Sequence, residues 1–174
     1  MRKISVFLII IAGFLSCAAI SVSADQGVEF SLSLERPEIT EYKTQDPIKL
    51  IFKLKNSGND PVYVNKRFLL GPEESPVSER EVYLSVISPS GQKLPYKFPY
   101  KSGLPKSDYF VLLKSGDEAA ADYPRAINGT FEFNEPGEYR ITAVYENAYG
   151  AEIGLTEVFK ERLTSNTLMI KVVK

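Results

Sequence analysis

Hydrophobic and polar residues alternate with a period of two along most of this chain, the pattern of strands that bury one face. In Val28–Leu34, the residues Val28, Phe30, Leu32 and Leu34 alternate with polar neighbours until Pro37 ends the run. Ile48, Leu50, Phe52 and Leu54 repeat the pattern, as do Val82, Leu84 and Val86. Segment 56–61, Asn-Ser-Gly-Asn-Asp-Pro, is dense in turn formers and leads into Val62 and Val64, which predicts a hairpin or a corner between two sheets. A further turn is predicted over 88–91, with proline second and glycine fourth. Residues 109–113 read as a short apolar strand. Segment 118–128 contains three consecutive alanines and admits a helical turn, but fits better as a weak edge strand linking two sheets. Phe131 and Phe133 alternate, 135–138 turns the chain, and Tyr139, Ile141, Ala143 and Tyr145 line one face of the next strand. Segment 150–163 is loosely patterned, and 167–173 closes the chain as a last strand.

No long amphipathic helix interrupts this series, and no repeat of fixed period is visible. The prediction is an all-β antiparallel sandwich of about seven to nine strands, with turn spacings close to those of immunoglobulin domains. Residues 135–141, Glu-Pro-Gly-Glu-Tyr-Arg-Ile, resemble the acidic-x-Gly-x-Tyr-x-Cys segment that enters the penultimate strand of immunoglobulin domains. The resemblance implies that the Tyr139 hydroxyl bonds back to upstream backbone at a corner, and that Ile141 replaces the cysteine as an apolar plug. Together with 48–64 and 112–118, this segment resembles exported bacterial immunoglobulin-like modules over about 28–173. Such modules serve as binders, inhibitors, spacers and enzyme-appended domains, so the resemblance specifies fold rather than function. A narrower similarity, to the proteinase-inhibitor family of bacilli, rests on the Asn-turn-Pro-Val segment and the Pro-Gly-x-Tyr corner. The chain departs from that family in lacking tryptophan and in carrying an export signal.

The first residues change the picture from fold to compartment. Met1, Arg2 and Lys3 precede an apolar run over 4–15, shorter than the roughly 20 residues of a membrane span, and small residues end at Val22-Ser23-Ala24. This reads as a signal peptide over 1–24 followed by one domain over 25–174, of a size able to bury a single core. The expected location is periplasmic or secreted, with no transmembrane segment once the leader is removed. Cys17, the only cysteine, raises the alternative of a membrane-anchored lipoprotein. Phe14-Leu15-Ser16-Cys17 matches a lipid-anchor site poorly, however, and cleavage after Ala24 leaves a disulfide-free protein. Asn128-Gly129-Thr130 matches a glycosylation acceptor but in a bacterial protein reads as a turn.

Composition then removes whole classes of chemistry. The chain has no histidine, so a Ser-His or Cys-His nucleophile and a histidine-ligated zinc are excluded. Loss of Arg2 and Lys3 with the leader leaves 19 cationic against 22 acidic residues, a net charge of about −3, which argues against nucleic-acid binding over a broad basic surface. No cofactor is implied, and no carboxylate pair stands out for glycoside hydrolysis. Acidic loop residues Glu73, Glu74, Glu79 and Glu81 offer oxygens to calcium but lack the spacing of a calcium loop, and Asp117, Glu118 and Asp122 form a second such cluster.

The most unusual stretch is 93–110, in which lysines alternate with aromatic residues on a proline-stiffened backbone. Lys93, Tyr96, Lys97, Phe98, Tyr100, Lys101 and Tyr109 are the candidate binding residues. Rigid aromatics supply contact area at low entropic cost, and lysines steer an anionic partner. The competing reading is that the aromatics cover the sandwich edge while the lysines point outward. The expected function is non-catalytic recognition of a protein or glycan partner in the cell envelope, by this loop or by addition of a partner strand to a sheet edge. The alternatives are a protease inhibitor presenting loop 71–77 and, more remotely, a carboxylate-based enzyme.

Overall fold

A computed structural model describes residues 27–99, 101–123 and 125–174. The expected signal peptide over 1–24 and Cys17 lie outside the described residues, as does Tyr100.

The period-two segments fold as strands that bury alternate side chains. β1 (Val28–Leu34), β3 (Leu50–Asn56) and β7 (Glu118–Asp122) form one sheet in the order β1-β3-β7. The facing sheet runs β2-β9-β8-β5, from β2 (Glu41–Lys43), β9 (Leu163–Val173), β8 (Gly137–Tyr145) and β5 (Val82–Ile87). Strands β4 (Val62–Asn65) and β6 (Phe110–Leu113) pair as a separate ribbon. The result is an immunoglobulin-like β-sandwich. All its ladders are antiparallel except that short β2 runs parallel to β9.

The two sheets meet through Leu50, Phe52 and Leu54 of β3 and through Tyr139, Ile141, Ala143 and Tyr145 of β8, all fully enclosed. Burying a side chain of Leu or Phe size contributes about 1.5–3 kcal/mol relative to exposure, so this facing set supplies the main driving force. Ile141 fills the space expected of it. The Tyr139 hydroxyl donates to the Glu135 carbonyl and accepts from the Glu135 N–H, both at 2.9 Å, which closes the corner that the resemblance implies. Gly137 enters this corner at φ +138°, where a Cβ would meet the Pro89 ring at 2.8 Å.

Segment 56–61 makes a corner between sheets rather than a hairpin, because β3 pairs with β1 and β7 while β4 pairs with β6. Asn56 holds it: its side-chain amide donates to the carbonyls of Asp60 (2.8 Å) and Leu113 (3.0 Å), and its Oδ1 accepts from Gly58 N–H. The alanines of 119–121 lie in an edge strand, as their position between two turns suggests. Phe131 and Phe133 are both buried, yet the backbone there is a loop that follows a 3-10 turn over Ile127–Gly129. Alternation at these two rings therefore reflects packing onto Tyr96 and Tyr139 rather than a ladder. Asn128 acts as a staple: its amide donates to the Asp46 carbonyl at 3.0 Å and its Oδ1 accepts from Ile48 N–H. No helix among the described residues is long and apolar enough to cross a membrane.

Candidate binding groove

At one end of the sandwich β4 runs into a segment that turns sharply back over the core. Asn65 Oδ1 accepts from the Arg67 N–H at 3.0 Å, and the next residue, Phe68, takes a left-handed backbone conformation at φ +48°. Such a conformation costs a bulky residue on the order of 1–3 kcal/mol and persists only where its surroundings enforce it. Here they do. The Phe68 ring is buried against Phe52 (5.8 Å), Tyr145 (6.0 Å) and Phe30 (6.3 Å). The following Leu69 N–H donates to a Glu81 carboxylate oxygen at 2.9 Å.

Glu81 is the hub of this end. It is 1% exposed and accepts from Arg67 Nε (2.8 and 2.9 Å), from Asn65 Nδ2 (3.1 Å) and from Leu69 N–H. Asn65 Nδ2 also donates to Asn147 Oδ1, whose own amide donates to the Tyr149 and Phe159 carbonyls. The Tyr145 hydroxyl donates to the Asn65 carbonyl at 3.0 Å and accepts from its N–H at 3.2 Å. Burial pushes the Tyr145 phenol far above its ordinary range, the bond to the Asn65 backbone pulling the other way. Among the described residues every buried side-chain polar atom has a partner, the state in which a polar network specifies one structure. Arg67 Nη1 reaches out from the hub to the Gly103 carbonyl and so ties loop 101–104 to the core.

Between that loop, the segment after β4 and the segment after β7 lies a groove of about 670 Å³. Phe68, Leu69 and Leu70 form one wall, Tyr96, Phe98 and Pro99 another, and Tyr123 and Arg125 the third, with Arg67 and Lys101 completing it. Among the described residues no carboxylate lines it. Tyr96 donates its hydroxyl to the Leu70 carbonyl and sets its ring edge-on to Phe131 at 5.9 Å. The Arg125 guanidinium sits 4.4 Å above the Phe98 ring, an arrangement that leaves its in-plane N–H groups available to a planar anion. Burial raises the Tyr123 phenol, against the lowering effects of a hydrogen bond with Thr130 and of nearby Arg125. Leu104, beside the loop's anchor at Gly103, is 73% exposed.

The structure sorts the seven residues singled out in the sequence. Tyr96, Phe98 and Lys101 converge on the groove. Lys93 is exposed and pairs with Glu73, and Lys97 pairs with Glu132 at 2.7 Å, holding that carboxyl below its usual range through the hydrogen bond and its charge. Tyr109 lies away from the groove, at the entry to β6, and its carbonyl accepts from Lys66 N–H. Tyr100 is not among the described residues. Arg67, Phe68, Tyr123 and Arg125 were not singled out. The only local signal at Arg67 and Phe68 is an apolar strand that ends in two cations before an aromatic, which does not distinguish a wall from a solvated turn.

The acidic loop is not one feature. Glu81 is inside the hub, while Glu73 is at the surface on Lys93. Loop 71–77 is held from below by Arg80, which donates to the Pro72 and Glu73 carbonyls and pairs with Glu146 at 2.8 Å. Among the described residues no three acidic, histidine or cysteine side chains come together in a way that could hold a metal ion.

No family model matches the chain, and no curated protein matches it. Among solved structures, the CARDB domain of a protein from Pyrococcus furiosus, crystallised in complex with di-metal ions, is similar at a TM-score of 0.38 and 14% identity. The match covers 84% of this chain and 87% of that one.

Proposed function

We propose that the protein is a non-catalytic, exported binding module that recognises an anionic protein or glycan partner in the cell envelope or outside the cell. The observation that carries this reading is the groove itself: about 670 Å³, walled by aromatic and aliphatic side chains and bordered, among the described residues, by three cations and no carboxylate. Its volume falls within the range of ligand-binding pockets, which join an apolar lining to a few placed polar groups. Lys101 and Arg125 make no salt bridge among the described residues, so their charge is available to a partner, whereas Arg67 is committed to Glu81. Nothing in the groove pairs a nucleophile with a base, and recognition is the chemistry its side chains support.

The experiment is capture of partners from envelope extract by immobilised wild-type protein and by Phe98→Ala, Lys101→Ala and Arg125→Ala. Each substitution removes surface contact without touching the hub, so folding is retained. Retention of the same partner should fall at least tenfold with Phe98→Ala or Arg125→Ala, and capture should weaken as salt is raised. Undiminished capture by all three variants would remove the groove from the account.

A further inference from the structure

The β7 edge of the first sheet has no strand partner among the described residues, and its backbone geometry and charge state what would fit. Strand β7 is registered on β3 with Phe52 opposite Ala121 and Leu54 opposite Ala119. Just beyond the ladder, Tyr123 N–H donates to the Leu50 carbonyl at 2.9 Å and Asn56 N–H donates to the Asp117 carbonyl at 3.0 Å. Hydrogen-bonded and non-hydrogen-bonded pairs alternate in an antiparallel ladder. Ala119 and Ala121 therefore spend their backbone groups on β3, and the N–H and C=O of Glu118, Ala120 and Asp122 point away from the sheet. No described backbone group bonds them from that side. Strand β6 ends in the same situation: Lys66 N–H donates to the Tyr109 carbonyl, so Val111 faces β4 while the backbone of Leu112 faces away.

These two free edges diverge from the turn at 114–117 and enclose a cleft of about 400 Å³ whose lining includes Leu112, Ala119, Ala120 and, as its one cation, Lys66. Leu112, 44% exposed, gives this cleft an apolar side chain for a partner to cover. Strand β7 has no proline, no lysine and no bulge; what guards its edge is an acid at each end, Glu118 and Asp122, which repels an acidic strand and admits a basic one. Its small side chains let another backbone approach.

Charge selects the occupant. Glu29 of β1 is registered opposite Lys55 of β3, which is opposite Glu118 of β7, and Lys53 pairs with Glu118 at 3.0 Å. The outward face thus alternates acid, base, acid across three strands, and a fourth strand continues the pattern only if it is basic. A second copy does not satisfy this. Antiparallel pairing of β7 with itself about Ala120 sets Glu118 opposite the copy's Asp122 twice over.

We infer that β7 is a docking edge for an extended segment of another polypeptide, added antiparallel, with Lys or Arg two residues to either side of a small or β-branched residue that faces Ala120. The site is separate from the groove and stands or falls without it.

The test is fluorescence anisotropy of labelled peptides against the full-length protein. A probe containing Lys-Val-Thr-Val-Lys binds at least tenfold more tightly than its Glu-Val-Thr-Val-Glu counterpart. Methylation of the backbone nitrogen of the central threonine, which removes the donor to the Ala120 carbonyl, weakens it at least tenfold. Ala120→Pro does the same from the protein side while leaving the melting temperature unchanged, because that N–H serves no bond to β3. Equal binding of basic and acidic probes, indifference to the methyl group, or no binding of the basic probe at millimolar concentration overturns the inference. So does a dimer in sedimentation velocity that Ala120→Pro dissociates, since it assigns the edge to a second copy.

Discussion

Strand β8 carries a tyrosine at each end of its buried face, and the two do the same thing with opposite reach. The Tyr139 hydroxyl bridges the N–H and C=O of Glu135, four residues away. The Tyr145 hydroxyl bridges the N–H and C=O of Asn65, eighty residues away. The first is a local clasp that closes one corner and leads nowhere else. The second joins a network through Asn65, Glu81 and Arg67 that fixes the left-handed Phe68, anchors loop 101–104 and thereby shapes the groove. A hydrogen bond made locally stabilises a turn, whereas the same bond made across the fold positions a surface.

The comparison breaks most readily at the hub. Glu81→Ala leaves the Arg67 guanidinium, the Asn65 amide and the Leu69 N–H without their acceptor in a region closed to water. Removing one partner of a buried ion pair costs about 3–5 kcal/mol, and chemical denaturation should report a loss of that size with no change in slope. A loss below about 1 kcal/mol would mean the hub is wet and the groove is shaped by something else.

The two tyrosines give the next contrast. Tyr145→Phe strands the buried backbone groups of Asn65 and should cost about 1–3 kcal/mol, while Tyr139→Phe frees Glu135 groups near the surface that water can reach, at about 1 kcal/mol or less. The pH dependence has a definite sign. Both phenols are raised above their ordinary value of 10.0 by burial. Their contribution is fully present below that value and is lost as pH rises past it, because the unfolded chain ionises first. Unfolding midpoints should fall steeply above about pH 10, and less steeply in Tyr145→Phe than in wild type.

The smallest effect is expected at Lys97. Its pairing with Glu132 is exposed, so Lys97→Ala should leave the unfolding midpoint where it is. In an NMR titration the Glu132 carboxyl should move up towards the ordinary carboxylate range, since its main lowering influence is gone. An unmoved titration would show that the ion pair does not form in solution.

Which parts of the molecule were legible in the sequence follows the same divide. Strand faces were, because alternation is local: each of Leu50, Phe52 and Leu54 is fully buried where the period places it. The Tyr139 corner was legible through the resemblance of 135–141 to the immunoglobulin corner, a motif carried by seven consecutive residues. The composition of 56–61 fits a hairpin and a corner equally, and the structure makes it a corner, because a turn's composition does not state which strand pairs with which. Glu81 reads as part of an acidic loop, since its partners Asn65, Arg67 and Leu69 lie 12 to 16 residues away in a different element. The candidate loop was half legible. Alternation of lysine and aromatic residues marks it as amphipathic, but only the fold decides that Phe98 faces Arg125 while Lys97 turns to Glu132.

The long-range hub, and not the local corner, holds the groove in place. Limited proteolysis by trypsin after the exposed Lys101 in two variants tests this most directly, at a temperature where both remain folded. In Glu81→Gln, which keeps the shape but removes the charge that orients Arg67, cleavage after Lys101 should speed up at least tenfold, while in Tyr139→Phe it should match wild type. Equal cleavage rates in the two variants, or a loop loosened by Tyr139→Phe alone, would contradict this reading.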